Sequence, residues 1–349
     1  MSATTRYFPF IILLFLFGGC QKPDPPPILE QVPPKSHPDE PVNLSVLCNT
    51  IEKNMLAINS QRTTFALEQI NQDLKLCLPL STFEQQKHLL LRSNQMYKNF
   101  LTVDRTAAQQ AAFDAYVLDL AQHPTIQQAH FEQLNPRDQY LFKHKGQAYI
   151  DVFESGNGQL KYRRSPEYLA KIFAPYMPEA EQVFIENLAA QNIQPVFTTN
   201  RLMIEPHEIA IRALFWENYL IQYPQSSYRQ DAKYLSQVYS LFLFQGLSDA
   251  ADSAGYIDEL SIPNSTLDEI KQLATLKNSH LAFQAQKFIQ FLQLSEEQRL
   301  KEIPVRLTAQ ERQSKNENLL SQKQLQHYLG LKNVNLSEIR DCFSDAICL

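Results

Sequence analysis

Along most of this chain apolar residues recur every three to four positions, the period of an amphipathic helix. Val46, Leu47, Thr50, Ile51, Asn54 and Met55 form the first stripe, and Phe65, Ile70, Leu74 and Leu76 form its partner. The pattern predicts helices over 44–59, 63–77, 83–100 and 104–121. Further on it predicts helices over 178–191, 206–222, 228–245, 248–260, 266–277 and 279–293. Start signals fall where helices are expected. Asn135 and Ser165 each precede a proline at a first helical position. Ser295 with Gln298, and Asn335 with Glu338, read as capping boxes, and Gly246 reads as a stop.

One stretch leaves the helical period. Tyr149, Asp151 and Phe153 alternate with Ile150, Val152 and Glu154, and a second short run covers 159–163. Between them lies Ser155-Gly156-Asn157-Gly158, a turn able to host positive φ, so the segment predicts a β-hairpin. Segments 196–199 and 202–204 could add short strands. The basic doublet Arg163-Arg164, beside Lys161, reads as a solvated strand end. The expected fold class is mainly α: a helical bundle or α-solenoid-like array with one small β-hairpin insertion. The expected segments are a leader (1–19), a tether (20–43), a helical bundle (44–145), a hairpin with a helical array (146–310) and a helical tail (311–349).

The leader and tether carry the most specific signals. Phe8–Phe17 is an apolar run too short to cross a bilayer as a helix but of the length of a secretory h-region. It runs into Leu16-Phe17-Gly18-Gly19-Cys20, which resembles the lipobox of bacterial lipoproteins; Phe17 stands where leucine is usual. The resemblance implies cleavage before Cys20, lipidation of that residue and, with Gln21 next, export to the periplasmic face of the outer membrane. Lipid chains on one cysteine suffice for stable anchoring, at about 0.8 kcal/mol per buried CH₂. The tether holds eight of the chain's 20 prolines, among them Pro25-Pro26-Pro27 and Pro33-Pro34. Proline fixes φ and lacks a donor, so an extended polyproline segment is expected, reaching roughly 70 Å at full length. Farther on, Tyr223-Pro224-Gln225-Ser226-Ser227-Tyr228-Arg229-Gln230-Asp231-Ala232 resembles the helix–turn–helix joint of tetratricopeptide-like lipoproteins. In that reading Pro224 ends one helix, a serine caps the next, and Ala232 allows close approach. The phrase occurs once, without a repeat of the usual period.

Composition narrows the chemistry. The 349 residues include only 8 glycines, two of them in the leader, which excludes Walker, Rossmann and GxSxG loops. A net charge of −5 offers no basic field for nucleic acid. Setting Cys20 aside, four cysteines remain: Cys48, Cys77, Cys342 and Cys348. In an oxidising compartment they allow three pairings, or four free thiols. Antiparallel helices folded about a turn near Arg62 place Cys48 and Cys77 side by side. Cys342 and Cys348 can close a short loop. The favoured pairing is therefore Cys48–Cys77 with Cys342–Cys348.

No reaction-grade motif stands out, and neither a cofactor nor a metal is expected. His207-Glu208 lacks the second histidine of a zincin helix. Glu154-Ser155 superficially resembles the Glu-Ser of lytic transglycosylases, whose glutamic acid protonates a glycosidic oxygen. That family sets the glutamate at a helix end before a GLMQ-like segment, which this chain lacks. The expected function is that of a lipid-anchored periplasmic helical protein, an adaptor, assembly or binding factor for envelope proteins or peptidoglycan. The alternatives are a murein hydrolase or lyase with Glu154 as general acid, and a ligand-binding protein with an aromatic-rich pocket.

Overall fold

Helix by helix, the computed structural model follows the apolar period. It describes residues 44–122, 128–154, 160–198, 201–247, 256, 259–313, 318–332 and 341–349. The fold is mainly helical, with fourteen α-helices among the described residues. α1 (Leu44–Leu56) and α2 (Thr64–Cys77) fold back on each other, and α3 (Phe83–Phe100) packs on α1. Ile51 and Met55 of α1 and Leu67, Ile70 and Leu74 of α2 are buried in the core. α3 opens with a capping box in which Thr82 and Gln85 satisfy each other's backbone N–H groups. α4 (Ala107–Gln122), α5 (Gln128–Glu132) and α6 (Pro136–Lys143) follow. Asn135 caps α6 by accepting from the Arg137 N–H at 2.8 Å, with Pro136 at the first helical position.

The chain then turns into a two-stranded antiparallel sheet of β1 (Ile150–Glu154) and β2 (Leu160–Arg164). Its register pairs Ile150 with Arg164, Asp151 with Arg163, Val152 with Tyr162 and Phe153 with Lys161. The turn at 155–159 lies outside the described residues. α7 (Glu167–Ile172) and α8 (Glu179–Gln191) pack together after it. A minimal second pair, β3 (Phe197–Thr198) with β4 (Arg201–Leu202), occupies the place of the two short expected strands.

α9 (Pro206–Gln222) and α10 (Arg229–Gln245) form the most extensively packed helix pair. From Val238 to Gln245 every residue of α10 is buried, as expected of a helix that runs through the middle of a core. The joint between them is the Tyr223–Ala232 phrase. Ala232 is fully buried where the helices approach. The serines act differently from the expected cap. Glu181 of α8 accepts from both the N–H and the hydroxyl of Ser227 at 2.9 Å. Ser226 Oγ lies 2.7 Å from the Tyr219 hydroxyl and accepts from the Tyr228 N–H at 3.0 Å. The joint is thus clamped by a third helix.

α11 (Asn264–Leu273) and α12 (His280–Gln293) lie against α9, and Glu217 of α9 accepts from the first free N–H groups of α12. α13 (Glu296–Glu302) begins with the Ser295–Gln298 capping box, and α14 (Leu319–Leu329) packs on α12. The helix expected at 248–260 falls mostly outside the described residues, as does the Asn335–Glu338 box. The expected C-terminal helical tail is helical only in part among the described residues. Asp341–Leu349 is instead a non-helical, largely buried closing segment, because its disulfide and its partners hold it in a tight ring. Asn43–Leu349 form one compact unit, so the segments 44–145, 146–310 and 311–349 share a core.

Candidate functional site

Polar chemistry concentrates where the base of the hairpin meets the chain's last residues. Side chains alternate along a strand, so Arg163 and Arg164 point to opposite faces of β2. Neither is the solvated strand end that the sequence suggests: they are 8% and 4% exposed. The covers come from residues far away in sequence, which local alternation does not register. On one face, Arg163 Nε donates to Asp151 Oδ2 at 3.1 Å, across the strand pair. Its Nη1 donates to the carbonyls of Asn192 at 3.0 Å and Ser344 at 3.2 Å, and Nη2 to that of Ile193 at 2.9 Å. Asn192 and Ile193 end α8, where the helix dipole favours a cation.

On the other face, Arg164 donates to Ser93 Oγ of α3 at 3.2 Å and to Asp345 Oδ2 at 2.6 Å. Its guanidinium lies over the rings of Tyr168 at 4.7 Å and Tyr97 at 5.5 Å. Burial pushes the Asp345 carboxyl above the usual carboxylate range, and Arg164 opposes that rise. Burial likewise raises the Tyr97 and Tyr168 hydroxyls, so both remain neutral phenols.

Just before β1 the backbone takes two consecutive left-handed conformations at Ala148 (φ 45°) and Tyr149 (φ 60°). Residues with a Cβ adopt this region at a cost of roughly 1–2 kcal/mol each. Three contacts hold it: the Tyr97 hydroxyl donates to Ala148 O at 2.8 Å, Ser165 N–H to Tyr149 O at 2.7 Å, and Gly146 N–H to Ile150 O at 2.8 Å. The corner leads directly into β1, whose first residue, Ile150, pairs with Arg164.

No family model matches the chain, and neither a curated protein nor a solved structure matches it.

Cys48 and Cys77 are joined, with Cα atoms 5.5 Å apart, as are Cys342 and Cys348 at 4.0 Å. Cys20 lies outside the described residues. Glu154 is half-buried at the last position of β1, opposite Leu160. It stands four residues along the strand, roughly 13 Å, from the position that pairs with Arg164. The structure therefore does not bring it into the arginine cluster. His207 is exposed in the first turn of α9, with Nδ1 3.1 Å from Glu269 Oε2. Among the described residues no group of three or more His, Cys, Asp or Glu side chains is placed to hold a metal ion.

A cavity of about 230 Å³ lies between α9, α10 and α11, lined by Leu202, Ile204, Ile209, Phe242, Tyr256 and Thr266 among others. Its walls are mainly aliphatic. Most large aromatic side chains are spent on packing instead, as in the Phe113–Phe142–Tyr162 and Phe184–Trp216–Tyr219 groups.

Sequence reasoning missed Ser93, Asn192 and Asp345 as partners of the hairpin. One signal pointed toward them. Two successive arginines on a strand face opposite sides, so anything packed on that strand must supply acceptors to at least one of them.

Proposed function

We propose that this chain is a lipid-anchored helical protein of the bacterial envelope. In this reading Cys20 carries the lipid, the proline-rich segment 21–43 spaces the body from the outer membrane, and the body serves as an adaptor or assembly factor for envelope proteins or peptidoglycan. One observation carries the reading: an apolar run of h-region length ends directly in Leu16-Phe17-Gly18-Gly19-Cys20. The pairing of every other cysteine in two disulfides supports it, since such bonds persist in oxidising compartments. Among the described residues no helix is long and apolar enough to cross a membrane.

The test is metabolic labelling with an alkyne-bearing palmitate analogue in a bacterial host, followed by fractionation. The full chain is expected to take up label and to sediment with outer membranes. Cys20→Ala is expected to lose the label and to leave an uncleaved or soluble form. Label that survives the substitution, or an unlabelled wild-type chain, overturns the anchor. For the adaptor role, a photo-crosslinking residue at exposed Lys161 is expected to trap one discrete envelope protein or murein fragment. A uniform smear of products argues against a defined partner.

A further inference from the structure

The segment Asp341–Leu349 has a shape of its own. Cys342 and Cys348 close a short ring. Its flanks, Asp341 and Leu349, exchange backbone hydrogen bonds at 3.0 and 2.9 Å. The Asp341 carboxylate turns inward and accepts from the Phe343 N–H at 2.9 Å and from the Ser344 hydroxyl. Asp345 accepts from the Ala346 N–H at 2.7 Å. Covalent closure and these bonds leave the ring few alternatives.

A socket built from distant segments fits that shape. The Asn192 side-chain amide donates to two ring carbonyls, Cys342 O at 2.8 Å and Asp345 O at 2.7 Å. Arg163 reaches Ser344 O, and Arg164 reaches the Asp345 carboxylate. Phe343 packs edge-on against Phe197, with ring centroids 5.1 Å apart. Since the two arginines face opposite sides of β2, the ring grips the end of the strand from both.

We propose that this ring is an oxidation-formed latch: the hairpin closes onto α3 and α8 when Cys342 and Cys348 are joined and the ring is seated in the Arg163–Arg164–Asn192 socket. The physical reason lies in what an open ring loses. Without the crosslink, the carbonyls of Cys342 and Asp345 are no longer held at the spacing that one amide group spans. Seating the free segment then means ordering nine residues that the closed ring has largely ordered beforehand. An unseated segment also takes the Asp345 carboxylate away from Arg164. A buried guanidinium stripped of its carboxylate is strongly unfavourable, so the base of the hairpin opens to water, carrying both arginines. The unlatched protein therefore presents Lys161, Arg163 and Arg164 as a basic edge, whereas the latched protein hides the arginines.

Closing the latch takes two thiols to a disulfide. Two protons leave, and two electrons pass to a thiol–disulfide oxidant, whose own disulfide becomes a dithiol. The state of the latch follows the redox poise around it: a reducing compartment leaves it open and an oxidising one closes it.

Amide hydrogen exchange on the full chain tests this, comparing wild type with the Cys342→Ser/Cys348→Ser variant. Exchange in 150–154 and 160–164 is expected to speed up by about tenfold or more, with α11 and α12 within about twofold of wild type. Trypsin is expected to cut after Arg163 or Arg164 in the variant and to spare those bonds in wild type. Hairpin exchange that stays within about twofold of wild type overturns the proposal. So does an equal loss of protection across α11 and α12, which would make the ring ordinary core. Should the double variant not fold, the wild-type chain exchanged with and without a disulfide reductant decides, because it opens the ring without a substitution in it. Faster hairpin exchange with unchanged helices then supports the latch, and unchanged hairpin exchange overturns it.

Discussion

Among the described residues, Arg105 and Asp138 form the most deeply buried ion pair outside the arginine socket. Asp138 is fully buried, and Arg105 meets it with two donors, Nε at 2.8 Å and Nη2 at 2.6 Å. The same guanidinium stacks 3.8 Å above the centre of the Phe113 ring. One side chain thus ties the segment before α4 to α6 and to the aromatic group under the hairpin. A fork of two parallel hydrogen bonds pairs the fully buried carboxylate with a guanidinium that is mostly covered. Removing one partner leaves the other buried and uncompensated. Arg105→Ala is therefore expected to destabilise the body by about 3–5 kcal/mol, read as a lowered urea midpoint. A loss under about 1 kcal/mol would mean that Asp138 finds water or another donor. Nothing in the local sequence singles out this pair: Arg105 and Asp138 sit in an interhelical stretch and a first helical turn, where charged residues are usually solvated.

At the scale of elements, the helices and the hairpin were legible because their causes are local. An apolar stripe, a capping box or a proline at the first turn acts within a few residues, so 206–222 is a helix as expected and Ser295 caps α13. Stop signals are equally local but differ in kind. Gly330 ends α14 in the ordinary left-handed region, at φ 66° and ψ 26°. Gly246 ends α10 at φ 72° and ψ −161°, a region essentially closed to residues with a Cβ. A Cβ at Gly246 would also meet the Tyr256 hydroxyl at 3.4 Å, whereas one at Gly330 would meet open space. Gly246→Ala is expected to cost about 1–3 kcal/mol. Gly330→Ala is expected to cost about 1 kcal/mol. Thermal melts of the two variants side by side check the order, and equal losses would show that α10 can end another way.

For the whole molecule, covalent links matter at the two ends of the described body. The Cys48–Cys77 bridge joins the start of α1 to the end of α2, where the segment 21–43 enters the body. On the chain-entropy account, closing a loop of this length contributes roughly 3–4 kcal/mol. Cys48→Ser/Cys77→Ser is expected to let proteases into 44–56 before α9 and α10 open; simultaneous cleavage of both would show that α1 is held by packing alone. Residues close together in the chain account for the class of fold, most of its helices and the hairpin. Each arises from residues within about one or two turns of one another, so its cause is written in a short window. The fate of polar side chains is set instead by tertiary contacts. Arg163 and Arg164 look like a solvated edge in sequence. They become a buried socket because Ser93, Asn192 and Asp345, up to 181 residues away, bring acceptors to them. Burial of a charge depends on which surfaces meet, and no periodicity along the chain records that.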